Sequence, residues 1–411
     1  MPTLRFIGRP FEGFERALER QMASFREATD ADVRFERDHR PLPEIHEELV
    51  EGDGLRDGTY DLFLCLSDWL PAVADDGDLL ALDDRLAENP PERWPDGWAE
   101  SMRDLVSYDG VTYGVPYHDG PELFHYRRDL FESVAEQRAF REEYGRPLHV
   151  PKTWAEFLEV AEFFTRPDED LWGTVVAAKP DGHNDVYDFL IQLWSRGGRV
   201  LDGEGRPAFD SDAGREALQF YRDLIHEHEL VPPEVTEMES VESGEFYAEG
   251  KAAMMWNWAG FGAMAEAENS AVFGNTGYGL IPRADTPAGE HTSLTVLYGL
   301  TVPVGSEHPD LAYEFIRHAA SAEGDRITTV EGASGTRFST WRDPEIVRDN
   351  TFYPVLEEIN TSAVNTLPQV PEYAALNEIL DEMVEAVVVE RSAEPAAALE
   401  RAAGRAADVL E

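Results

Sequence analysis

Apolar residues along this chain switch between the two spacings that separate strands from helices. Leu4-Arg-Phe-Ile7 is a short apolar run, and Phe14, Leu18, Met22 and Phe25 then recur three to four residues apart on an otherwise charged segment. That order predicts a strand followed by an amphipathic helix. Val33 to Phe35 opens a second strand, and Tyr60 to Leu66 is almost continuously apolar, as in a strand buried on both faces of a parallel sheet. Thr153 with Glu156 three residues on forms a capping box ahead of Phe157, Val160, Ala161 and Phe164, which predicts a helix start. Thr174 to Ala178 reads as a strand, Asp185 to Arg196 as a helix stopped by Gly197-Gly198, and Asp212 as the cap of a helix carrying Ala217, Phe220, Tyr221, Leu224 and Ile225. After Pro309 a further helix turns Leu311, Phe315, Ile316 and Ala319 inward. Strands alternating with helices place the chain in the α/β class.

The most informative stretch runs from Gly244 to Trp258. It reads as an exposed turn, Gly244-Glu-Phe-Tyr-Ala-Glu-Gly-Lys251, leading into an apolar strand that ends in two indoles. Alternation in that strand puts Met254, Trp256 and Trp258 on one face. Either indole serves as core, since Trp is mostly buried, or as aromatic surface delivered to a sheet edge.

Composition narrows the classes. A chain of 411 residues with 42% hydrophobic content supports two domains, each with its own core. There are 82 acidic residues against 35 basic ones, a formal net charge of −47, and Lys152, Lys179 and Lys251 are the only lysines. Nucleic acid and anionic membrane are repelled as partners. The charge is spread among regular apolar positions rather than gathered in a tail, so it reads as a solvated surface. Such self-repulsion is screened in molar salt, where the Debye length is about 3 Å, and the expected source is an extreme halophile. Cys65 stands alone inside an apolar run, which excludes an intramolecular disulfide and predicts a buried, inert thiol. No run approaches the ~18 apolar residues of a membrane span.

The marks of catalysis are missing. Gly250-Lys251 is followed by Ala252 and lacks the upstream glycine of a phosphate loop. His226 and His228 point to different faces of a helix, and Gly332-Ala-Ser-Gly335 is not a hydrolase elbow. In so acidic a chain an acidic pair by itself says nothing, so spacing cannot establish a glycosidase. No metal or cofactor site is expected.

The Gly244 to Trp258 segment, followed by Tyr278-Gly-Leu-Ile-Pro282 and Leu297-Tyr-Gly-Leu-Thr-Val-Pro303, resembles the extracellular solute-binding proteins of ABC importers, within them the carbohydrate-binding family that includes the maltodextrin-binding proteins. Tyr60-Asp-Leu-Phe-Leu-Cys-Leu-Ser-Asp-Trp-Leu-Pro71, Tyr113-Gly-Val-Pro-Tyr117, Phe124-His-Tyr-Arg-Arg-Asp-Leu-Phe131, Pro151-Lys-Thr-Trp-Ala-Glu-Phe157 and Leu367-Pro-Gln-Val-Pro371 extend the likeness in the same order over nearly the whole chain. The resemblance implies a two-lobed periplasmic-binding-protein type II fold with discontinuous lobes and a ligand cleft. Residues 1–115 plus 299–334 would form one lobe and 116–298 plus 335–411 the other, with crossings near 115–119, 296–299 and 332–337. It also implies an ABC permease as partner, a monomer, and an extracellular, cell-surface location. No export signal precedes Leu4, so retention in the cytoplasm as a solute sensor stays open, as does a carbohydrate-active enzyme.

Sugar binding needs flat aromatic faces ringed by planar polar groups. In the first lobe the resemblance puts Phe11, Glu12, Asp68 and Trp69 after strand ends, and Tyr117, His118 and Asp119 at the first crossing. Tyr187, Trp258, Phe261, Tyr298 and Tyr373 supply further aromatic groups, and Arg337 a cation. Each has a plainer reading: Asp68 as a helix cap, Trp69 packed under its turn, Arg9 and Arg337 in salt bridges. Cys65 and Gly120 depart from the maltodextrin binders, where a large aromatic and an acidic side chain are usual, so a mono- or disaccharide or a glycosidic compound fits as well as a long glucan.

Overall fold

The computed structural model describes residues 1–411. The chain divides into two compact units, both discontinuous in sequence. The first comprises Met1–Gly120, Thr295–Thr361 and Gln369–Tyr373, and the second Pro121–Leu294, Ser362–Pro368 and Ala374–Glu411. The chain therefore leaves the first unit after Gly120 and returns at Thr295, close to the two expected crossings. The third expected crossing, at 332–337, is corrected: this stretch stays in the first unit. Its anchor is Asp325, whose buried carboxylate accepts from the N–H of Thr336 (2.7 Å) and of Arg337 (3.2 Å) and from the Thr340 hydroxyl.

In the first unit a five-stranded sheet has the order Arg34–His39, Thr3–Gly8, Leu62–Leu66, Tyr298–Thr301, Gly114–His118. The first three strands are parallel, and Tyr298–Thr301 runs against both of its neighbours. The carboxyl ends of Thr3–Gly8, Leu62–Leu66 and Gly114–His118 thus share one edge with the start of Tyr298–Thr301. Leu62–Leu66 is buried throughout, as its continuous apolar run requires, and burial pushes the Cys65 thiol well above its usual range. The helix Glu12–Thr29 buries the whole predicted stripe of Phe14, Leu18, Met22 and Phe25.

In the second unit a four-stranded sheet has the order Thr276–Gly279, Glu122–Arg127, Ala252–Trp258, Trp172–Val175. The expected Thr174 to Ala178 strand is therefore shifted toward Trp172. Thr153 caps the helix Trp154–Phe164 by accepting from the Glu156 N–H (3.3 Å), while the Glu156 side chain reaches back to the Lys152 N–H (2.8 Å). Ser211, one residue before the expected Asp212, caps the helix Asp212–His226. The expected exposed turn before the Ala252–Trp258 strand is instead the end of a helix, Ser240–Ala248, with Phe246 and Tyr247 buried. A Glu239/Glu242 capping box starts that helix, a signal made of two glutamates where Ser or Thr usually stands first. No helix is long and apolar enough to cross a membrane.

Candidate functional site

The shared edge of the first sheet gathers polar and aromatic side chains, because residues just past strand ends are released from the ladder while the strands hold their positions. Tyr298 lies opposite both His118 and Leu66 in the ladder, and its hydroxyl accepts from Arg9 Nη1 at 3.1 Å. The His118 ring sits 5.6 Å from that of Tyr298 and 4.9 Å, edge-on, from Phe14. Phe11 stands edge-on to Phe14 at 4.9 Å and is 39% exposed, a large aromatic open to solvent. Burial, with the Arg9 charge adding to it, pushes His118 down to about 4, so its imidazole is neutral. His118 Nδ1 lies 2.9 Å from the Ser334 carbonyl, which can only accept; Nδ1 carries the proton and Nε2 is left as an acceptor. Asp68 follows the Leu62–Leu66 strand, and its charge acts on both the Tyr298 and Tyr373 hydroxyls, raising them beyond the effect of burial. Arg9, Phe11, Asp68, His118, Tyr298 and Tyr373 thus belong to one region of the first unit.

The second unit presents Trp258 at the end of its strand. Trp256 and Trp258 lie on the same face, yet their surroundings differ. Trp256 is buried against Trp154 (5.3 Å) and Phe157 (5.7 Å), and its Nε1 donates to Asp188. Trp258 is only half-buried; its Nε1 donates to Asn184 Oδ1 at 3.0 Å, and Tyr187 meets it edge-on at 5.9 Å and 90°. Both partners come from the first turn of the helix Asn184–Trp194. With Nε1 held and one side packed, the indole is fixed in orientation before any ligand arrives. Phe261, on the short helix Gly260–Ala265, is half-buried against Gly244, where a Cβ would stand 2.5 Å from its ring.

Other candidates are placed elsewhere. Tyr117 is buried and donates its hydroxyl to Gln21 Oε1 (3.1 Å): strand alternation that aims His118 at the edge aims its neighbour into the core. Asp119 is 0% exposed, accepting from Thr295 and from Asn360 Nδ2 (3.0 Å), so it holds chain segments together. Arg337 is 1% exposed, its guanidinium 4.3 Å from the Trp98 ring centroid and donating to the Ala320 carbonyl (2.6 Å). These three have no open face for a ligand. Trp69 packs on Phe63 and His46, as its packing reading required, and it stands at the cap position of the helix Leu70–Asp75. Glu12 lies on the exposed surface in an ion pair with Arg16.

A sequence profile described as bacterial extracellular solute-binding protein matches residues 14–326. The chain belongs to that family. Among curated relatives of this solute-binding protein, a mannitol-binding protein of Pseudomonas aeruginosa is 26% identical over 59% of this chain, and an arabinooligosaccharide-binding protein of Halalkalibacterium halodurans 25% identical over 64%. The matched regions span 54% and 56% of those relatives, little more than half their length. Solved structures with the same fold include a maltose-bound T. maritima protein (TM-score 0.83, 23% identity, 98% of both chains) and a ribitol complex from Agrobacterium radiobacter (TM-score 0.80, 24% identity, 99% and 98%). The fold of the solute-binding protein is the two-lobed periplasmic type.

Sequence reasoning passed over Asn184 and Phe14. Asn184 reads locally as one polar residue beside the start of a helix, and nothing nearby in sequence links it to an indole 74 residues away. Phe14 was legible only as core, yet its ring also backs Phe11, His118 and Tyr298.

Proposed function

We propose that this solute-binding protein is the capture component of an ABC importer and takes a small neutral polyhydroxylated solute, a sugar or polyol, outside the cell for delivery to a membrane permease. The observation that carries the reading is the half-buried Trp258, whose indole is held by Asn184 and Tyr187 in one orientation, as stacking on the C–H side of a sugar requires. In the first unit, neutral His118 offers a ring acceptor, and Arg9 and Tyr298 offer donors for hydroxyls. Relatives named for mannitol and arabinooligosaccharide binding support the same solute class. They are named as binding proteins, which supports capture without chemistry, the solute leaving unchanged. Asp68, set against the single Arg9 on the same sheet edge, disfavours an anionic solute.

A thermal-shift screen in multimolar potassium chloride tests this with mannitol, ribitol, maltose and arabinooligosaccharides against amino acids, peptides and polyamines. A ligand at 100 times its Kd adds about 2.7 kcal/mol of stability. The expected result is a rise for one sugar or polyol class, recovered intact; a rise confined to amino acids or peptides, or consumption of the sugar, would replace the reading.

A further inference from the structure

The second unit buries a carboxyl group that the solute site does not explain. Asp185, in the first turn of the Asn184–Trp194 helix, is 0% exposed, and neither of its oxygens is engaged in a well-formed hydrogen bond. What faces it is the Asp381 carboxyl on the helix Tyr373–Val384. Asp381 Oδ1 accepts from the Gly182 N–H at 3.1 Å, and Asn377, one turn earlier, donates to the Gly182 carbonyl at 2.6 Å. The segment entering the Asn184–Trp194 helix is therefore held to the Tyr373–Val384 helix at three points, and the third is a contact between two acids.

Two ionised carboxylates so placed repel each other, and the one that is fully buried has no solvent to offset the repulsion. One proton between them turns repulsion into a hydrogen bond, with one acid as donor and the other as acceptor. The other groups around Asp185 do not supply a counter-charge: Asp181 on the preceding loop is a third acid, itself paired with His183, Asp188 one turn on is a buried acid, and Tyr221 on the Asp212–His226 helix is neutral.

We propose that Asp185 and Asp381 share one proton and act as positioning residues for the Trp258 half-site, clamping the start of the helix from which Asn184 and Tyr187 hold the indole. The link to solute binding rests on the proposed function above; the proton itself does not. Asp185 is pushed up to about 9 by burial first and by Asp381 second. Its folded-state pKa thus lies above the unfolded value, and the folded chain keeps a proton that the unfolded chain has released. Between about pH 4 and pH 9 the wild type accordingly loses stability as pH rises, by up to about tenfold in the folding equilibrium per pH unit, and the loss levels off above that window.

The test compares wild type with Asp185→Asn, whose side-chain amide donates to Asp381 without titrating, and with Asp185→Ala. Thermal unfolding and hydrogen exchange of the 182–190 region are followed from pH 5 to pH 10 in multimolar potassium chloride. The expected result is that Asp185→Asn matches wild-type protection near neutral pH, gains on wild type as pH rises, and stays protected where wild type loosens; Asp185→Ala loses protection at every pH. Parallel pH profiles for wild type and Asp185→Asn would overturn the proposal, as would a wild-type profile set by added calcium or by the choice of sodium or potassium, which would place a cation where the proton is assigned. Neither readout uses a solute. An intact acid pair with unaltered solute binding in Trp258→Ala would therefore overturn the site reading alone.

Discussion

Trp256 and Trp258 share a strand face and differ in what surrounds them, so they separate stability from binding. Trp256→Ala removes a buried indole from between Trp154 and Phe157 and should cost about 3–5 kcal/mol in urea unfolding. Trp258→Ala should cost far less stability and lower affinity for the captured sugar or polyol at least tenfold, the loss of a preorganised stacking face. Arg337 belongs with the stability group. Replacing it by alanine leaves the Ala320 carbonyl without its donor and empties the face of Trp98, for a cost of at least about 2 kcal/mol. Solute affinity of the folded variant should stay within twofold by calorimetry. The identities of the aromatic candidates were legible in the sequence, but the depth of each was not. Tyr117 and His118 are adjacent, and only the phase of their strand against the Glu12–Thr29 helix decides that one meets Gln21 and the other the sheet edge.

At the level of elements, the apolar periodicity located strands and helices well because burial of a stripe or a run is a local pattern. Caps were less secure: Thr153 behaves as expected, while the Ser211 hydroxyl displaces Asp212 and Glu239 replaces the usual Ser or Thr. Chain crossings were the least legible, since tertiary hydrogen bonds fix them. Asp119 joins three segments of the first unit, its own strand end, Thr295 and Asn360, each within two residues of a place where the chain leaves that unit or enters it. Burial pushes Asp119 up to about 6 against the pull of those donors. Its folded pKa again exceeds the unfolded value, so wild type loses stability relative to Asp119→Asn as pH rises from about 4 to about 6, by up to about 1.4 kcal/mol per unit, with no further divergence above. Urea unfolding across pH 4 to 8 checks this; a difference that is flat with pH would show that Asp119 titrates normally.

For the whole molecule, the two-lobed fold follows from the order of modest sequence resemblances taken together, and the family match bears it out. The net charge of −47 carries a separate expectation. Carboxylates spread over the surface repel one another at low salt, and potassium chloride near molar concentration shortens the screening length to about 3 Å. The melting temperature should therefore rise steeply from millimolar to multimolar salt. A salt-independent melting temperature would remove the halophilic reading without touching the fold. The solute's identity stayed beyond the sequence, because it depends on how polar partners such as Arg9, His118 and Tyr298 are gathered by the fold rather than on any motif.

The most direct measurement is a calorimetric titration, in multimolar potassium chloride, of the sugar or polyol that stabilises the protein, carried out on wild type, Trp258→Ala and His118→Ala. Saturable binding by wild type with a weakening of at least tenfold in each variant is the expected result. Equal affinity in all three proteins, with folding intact, would contradict it.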